Sequence, residues 1–94
     1  IFNRSMKNLN IYYSRYFKKQ CDKMPQEIKD LAAEKESLFK KNPLHPSLRL
    51  HPLKGKLKGL WSISVSMQYS IIFQLEEEDI VFISIGKHDI YKSF

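Results

Sequence analysis

His51 and His88 are the side chains of this sequence best placed to move a proton, because histidine titrates near neutrality. One could act as a general base and the other as a general acid. Around the first lies a run of fixed positive charge. Lys40, Lys41, Arg49, Lys54, Lys56 and Lys58 fall between Glu36 and Glu76, and no acidic residue interrupts them. Gly55 and Gly59 bracket the last two lysines, and Lys87, His88, Asp89 and Tyr91 cluster after Gly86. Cations that meet phosphate, together with groups that exchange protons, suit a surface acting on nucleic acid. Lys54, Lys56, Lys58, Arg49 and Lys87 are the candidate phosphate contacts.

Each of these residues has a plainer reading. His51 could be a loop histidine bonded to backbone, and His88 a turn residue beside Asp89. The loop lysines could form a solvated surface. Tyr91 could stack on a base, donate a proton or pack a terminus on the core. Trp61 reads as core. Ser62, Ser64 and Ser66 read as the polar face of a strand, with no motif for a serine nucleophile. His45, His51 and His88 lack the compact spacing and cysteine support of a metal site, so no metal is expected.

The composition sets outer limits. Ninety-four residues make one domain, 1–94, with residues 1–8 read as a tail or cloning remnant. A hydrophobic fraction of 43% with 13% aromatics is too apolar for a disordered basic tail. The net charge of +6 favours polyanionic partners. A membrane surface is also anionic, so charge alone does not choose between the two. Cys21 stands alone, which precludes an internal disulfide and fits a reducing cytoplasm. No apolar run is long enough for a membrane span, so no membrane role is expected.

The elements that must carry these groups follow from periodicity. Leu9 to Tyr13 reads as a short first strand, and Ser14 as the cap of a helix. Tyr13, Phe17, Cys21 and Met24 recur at helical spacing. Pro25 starts a second helix whose apolar stripe is Ile28, Leu31, Ala32, Leu38 and Phe39; Asn42-Pro43 ends it. A loop punctuated by Pro43, Pro46 and Pro52 follows. Trp61, Ile63 and Val65 alternate with serines as a half-buried strand, and Tyr69 to Leu75 continues as another. The acidic run Glu76 to Asp79 is a turn, and Ile80 to Ile85 is an apolar, central strand. Short connections make the last three strands an antiparallel meander. The class is α+β: two N-terminal helices on one face of a small antiparallel sheet, in the order β-α-α-β-β-β.

That order resembles the RelE/ParE toxin superfamily. So do the phrases Leu53-Lys54-Gly55-Lys56-Leu57-Lys58-Gly59, Trp61-Ser62-Ile63-Ser64-Val65, Tyr69-Ser70-Ile71-Ile72-Phe73 and Ile85-Gly86-Lys87-His88-Asp89-Ile90-Tyr91. The block is most similar to RelE- and YafQ-like members. The resemblance implies the toxin of a bacterial toxin–antitoxin system, an mRNA endonuclease that inhibits translation. It implies a 2′-hydroxyl nucleophile, no metal and no small-molecule cofactor. Implied partners are a cognate antitoxin, mRNA and the ribosome, in the cytoplasm. The implied catalytic residues are His88, His51 and Tyr91. The chain departs from the family pattern at Ser62, Ser64, Gln68 and Ser70, where relatives carry lysine, histidine, aspartate or arginine. Those departures leave an alternative: a non-catalytic or impaired homologue that binds an antitoxin, or an inhibitor of DNA gyrase of the ParE kind.

Overall fold

The computed structural model describes Phe2 and residues 9–87. His88 and Tyr91 lie outside the described residues. Strand β1 spans Asn10–Tyr13, helix α1 Arg15–Asp22 and helix α2 Gln26–Lys41. The remaining strands are β2 (His51–Pro52), β3 (Leu60–Ser64), β4 (Tyr69–Glu76) and β5 (Asp79–Lys87). They form one sheet in the order β1-β5-β4-β3-β2.

Local chemistry sets the ends of the helices. The Ser14 hydroxyl accepts from Phe17 N–H at 3.0 Å and caps α1. Pro25 sits at the N-cap of α2, where its missing N–H costs nothing. The helix ends at Lys41, with the Asn42 N–H returning to Leu38 O at 2.7 Å. Phe17, Ala32 and Phe39 are the buried positions of the two helices. They share one core with Ile63, Val65, Ile71, Phe73, Ile80, Phe82 and Ile85 of the sheet. Phe39, Phe73 and Phe82 stack in mutual tilted contact at the centre of that core. Phe2, in the segment read as a tail, sets its ring edge-on to Trp61 with centroids 4.9 Å apart.

Three of the four strand pairings are antiparallel, as the meander requires. The fourth is not. β1 joins β5 in parallel, with Asn10 opposite Asp79 and Tyr13 opposite Phe82, so the sheet is mixed. The chain leaves β1 through both helices and returns to β5 only after β2, β3 and β4, a route long enough for parallel pairing. The strand read as central is interior, between β1 and β4.

Two further features shape the sheet. Between Ile72 and Phe73 of β4 the register against β5 shifts: Ile72 faces Ser84, whereas Phe73 faces Phe82. Ile83 is thus an extra residue in β5, a bulge. Beyond that point β1 has ended, and α1 guards the open edge of β5. Ser14 N–H donates to Phe82 O and the Ser14 hydroxyl donates to Ile83 O, each at 3.0 Å. Gln20 Oε1 then accepts from Ile85 N–H and from the Ser84 hydroxyl, both at 3.0 Å. A helix side chain continues the ladder where no strand does.

Candidate functional site

Directly opposed residues of antiparallel strands point to the same face. His51 pairs with Ser62, Ser62 with Ile72, and Ile72 with Ser84, so one row crosses four strands. Ser64, Ser70 and Gly86 form the next row. Both rows lie on the face away from the helices, because Ile63, Ile71 and Ile85 between them belong to the helix-side core. Apart from Ile72, the inner positions of the two rows are serines and Gly86. Of the serines that alternation reads as a polar face, Ser62 is buried whereas Ser64 and Ser66 are partly exposed; Ser70 and Ser84 on the neighbouring strands are buried too.

The hairpin serines serve the backbone. The Ser64 hydroxyl donates to Ser66 O at 2.9 Å, while the Ser66 hydroxyl accepts from Gln68 and Tyr69 N–H, each at 3.2 Å. These bonds shape the bend between β3 and β4, where Gln68 is exposed. Lys87 closes β5 level with Tyr69, its ammonium 5.9 Å from the ring centroid.

His51 stands exposed at the outer end of the first row, on the edge strand β2. Its Nδ1 lies 2.8 Å from Arg49 O. Arg49 is exposed beside it, with a left-handed backbone (φ 47, ψ 43). His45, in the same loop, takes the plain reading. It caps the short turn Pro46–Leu48, its Nδ1 accepting from Ser47 N–H at 3.2 Å.

The basic loop lies elsewhere. Lys54, Lys56 and Lys58 are exposed on a turn anchored by buried Leu57, with Gly55 and Gly59 at positive φ (67° and 99°), where glycine is the residue that fits. Among the described residues no ion pair holds these three lysines; the pair present is Lys40 with Glu36. Leu53 N–H donates to Leu60 O, whereas Val65 N–H donates to Tyr69 O, level with Lys87. The loop and Lys87 are thus about five strand steps apart, roughly 17 Å. His51 sits between them. The candidate residues therefore mark out three stations along the sheet and not one cluster. Beside the basic loop, Leu53, Lys54, Lys58, Trp61 and Leu75 line a cleft of about 660 Å³.

One residue that matters was passed over by the sequence reading, and another was read for a different part. Gln20 holds the end of β5, and its signal was faint: an uncharged amide among Lys18, Lys19, Asp22 and Lys23. Arg49 was read for its charge, whereas its carbonyl is what touches His51. Cys21 is not a candidate nucleophile, since burial pushes its thiol up and away from thiolate at neutral pH. No helix among the described residues is long and apolar enough to cross a membrane.

Comparison with known proteins decides the family. Residues 9–92 match the family described as bacterial toxin of type II toxin-antitoxin system, YafQ. The chain belongs to this YafQ family. No curated protein matches the sequence. Among solved structures, YafQ from Escherichia coli BL21(DE3) superposes with a TM-score of 0.75 at 22% identity, covering 89% of this chain and 98% of that one. YafQ within the Escherichia coli DinJ-YafQ toxin-antitoxin complex gives 0.72 at 22%, covering 87% and 94%. A YoeB/ParE toxin from Agrobacterium tumefaciens gives 0.70 at 13%, covering 85% and 99%. The shared fold is that of the RelE-like toxins, an α+β sheet with two helices. The YafQ match spans β1 to β5, so both serine rows, His51 and the basic loop fall inside it, as do His88 and Tyr91.

Proposed function

We propose that this YafQ-family toxin is a metal-independent mRNA endonuclease acting on the cytoplasmic ribosome and held inactive by a cognate antitoxin. The observation that carries the reading is His51, exposed on the edge strand β2 of a toxin-family chain. His51 takes the proton of a 2′-hydroxyl as that oxygen bonds to phosphorus. The bond to the 5′ oxygen breaks, and His88 returns a proton to the leaving oxygen, yielding a 2′,3′-cyclic phosphate and a free 5′-hydroxyl. Tyr91 assists near the leaving group. Lys87 and Arg49 neutralise charge on the pentavalent phosphorus and its neighbours. Lys54, Lys56 and Lys58 hold the polyanion some nucleotides away. The antitoxin partner is supported by the DinJ-YafQ complex, in which a relative of this fold is bound to one.

The test is induction of the wild type beside His88→Ala with mapping of mRNA 5′ ends. His88→Ala should lower cleavage by about 10²–10⁴-fold, His51→Ala by less, and Tyr91→Phe least. Antitoxin binding should persist in all three. Equal cleavage by the wild type and the His51/His88 double alanine variant would sink the mechanism. A second reading is favoured by Ser62, Ser64 and Ser70, which bring no charge to the face: a toxin-fold protein that binds antitoxin without cleaving RNA. Wild-type protein that cleaves nothing, with or without ribosomes, would establish it.

A further inference from the structure

The two histidines of the loop before β3 carry their protons on opposite nitrogens, and the cause lies in the backbone. A carbonyl oxygen can only accept a hydrogen bond. His51 Nδ1, 2.8 Å from Arg49 O, must therefore be the donor and bear the proton. A backbone N–H can only donate. His45 Nδ1, which receives Ser47 N–H at 3.2 Å and has the Ser47 hydroxyl at 2.9 Å, must therefore offer its lone pair. Its proton sits on Nε2.

We propose that Arg49 is a positioning residue: its left-handed backbone aims its carbonyl at His51 Nδ1, so that neutral His51 presents an unprotonated Nε2. A non-glycine residue in this region is uncommon, and here both flanks hold it in place. Upstream, Arg49 N–H donates to Pro46 O at 3.2 Å, closing a short helical turn whose Leu48 is wholly buried. Downstream, His51 enters the ladder opposite Ser62. The ψ of Arg49 sets the plane of the following peptide, and so the direction of the carbonyl between two fixed points. On taking a proton the ring keeps its Nδ1 donor, so the bond to Arg49 O survives the transfer. A base oriented in this way needs no rearrangement between accepting a proton and releasing it. The inference adds to the proposed cleavage the nitrogen that takes the proton, and rests on that reading for its consequence in catalysis.

The test is independent of activity. In the ¹⁵N-labelled full chain, above the pH at which histidine is charged, long-range proton–nitrogen correlation reports which ring nitrogen bears the proton. His51 should show a protonated Nδ1 and a bare Nε2, and His45 the reverse. A His51 that favours Nε2–H, or that mixes both forms as free histidine does, overturns the proposal. Two variants then separate backbone from charge. Arg49→Gly accepts the left-handed turn freely, and Arg49→Val resists it, since a β-branched side chain crowds that conformation. Neither keeps the guanidinium. The His51 signature should persist in Arg49→Gly and be lost in Arg49→Val, with cleavage at saturating RNA about tenfold slower in the second. Identical signatures and rates in the two would refute the role of the turn. Should Arg49→Val fail to fold, the wild-type spectrum and Arg49→Gly still decide. Loss of all cleavage in a wild type that shows the expected spectrum would count against the endonuclease and leave the assignment of the proton intact.

Discussion

Replacing Gln20 by alanine removes one oxygen that serves two donors. The Oε1 receives Ile85 N–H and the Ser84 hydroxyl at 3.0 Å each, on a stretch of β5 that β1 no longer covers. Both residues are buried, so water cannot readily replace the lost acceptor. A net hydrogen bond is worth about 0.5–1.5 kcal/mol, and a buried donor left without a partner costs about 1–3 kcal/mol. The serine hydroxyl can rotate toward another acceptor, whereas the amide of Ile85 is fixed by the strand. The expected loss is about 2–4 kcal/mol, a large share of the stability of a domain this size. With about 4–8 °C lost per kcal/mol, Tm should fall by at least ~8 °C. Urea unfolding gives the free energy, and hydrogen exchange at the Ile85 amide locates it. Gln20→Glu keeps an acceptor in place and should recover most of the loss at neutral pH. Because β5 leads in sequence straight into His88, partial denaturant should abolish cleavage in Gln20→Ala before the α2 helix signal is lost. A loss under about 0.5 kcal/mol with unchanged Ile85 exchange would refute the reasoning.

Other expectations follow from the same geometry. Replacing Lys54, Lys56 and Lys58 with Gln should flatten the salt dependence of RNA binding by about two in log–log slope, at roughly 0.7 per lost phosphate contact; an unchanged slope would mean that the loop faces away from RNA. Phe39→Ala, at the fully buried centre of the aromatic cluster, should cost about 3–5 kcal/mol by urea unfolding. Tyr13 is pushed from 10.0 up to about 12, first by burial and then by its hydroxyl's bond to Glu36 and the charge of that carboxylate. A folded value above the unfolded one favours the neutral phenol, so its stabilising effect is whole below pH 10 and declines as pH climbs toward 12. Stability should therefore fall less steeply over that window in Tyr13→Phe than in the wild type, and parallel curves would contradict the assignment.

The elements that pack were readable from the sequence. Ser14 announces the start of α1, the stripe ending at Phe39 announces α2, and the apolar run from Ile80 announces an interior strand. Short connections gave the antiparallel pairing of β3, β4 and β5, but the partner and direction of β1 were not readable, because no short connection ties it to a neighbour. The parallel union of β1 with β5 depends on where the helices deliver the chain. The two-residue β2 was hidden by Pro52, which offers no N–H to a ladder and fits only an edge. For the site, the sequence named the chemistry more readily than its layout. Lys54 follows His51 by three residues and looks adjacent on paper, yet the strand carries it toward the β4–β5 end of the sheet. Ser62 alternates like a surface residue and is buried, since a second face covered by protein looks the same in sequence as one facing water.

The bulge at Ile83 divides β5 into two stretches with independent phase. Ahead of it, Ile80 and Phe82 point into the helix-side core; after it, Ile85 does, and Ser84 and Gly86 turn to the other side. One residue thus acts on this strand as a frameshift acts on a reading frame. Deleting Ile83 would leave an unbroken alternation with Phe82 inside, Ser84 outside and Ile85 inside as now, whereas drawing Ile83 into the ladder would exchange inside for outside in everything that follows. Length at this single position can therefore change without altering what the distal stretch of β5 displays, provided that the extra residue stays out of the ladder, while substitutions among Ile80, Phe82 and their partners tune stability separately. The fold keeps its foundation and its working face on opposite sides of one hinge in register.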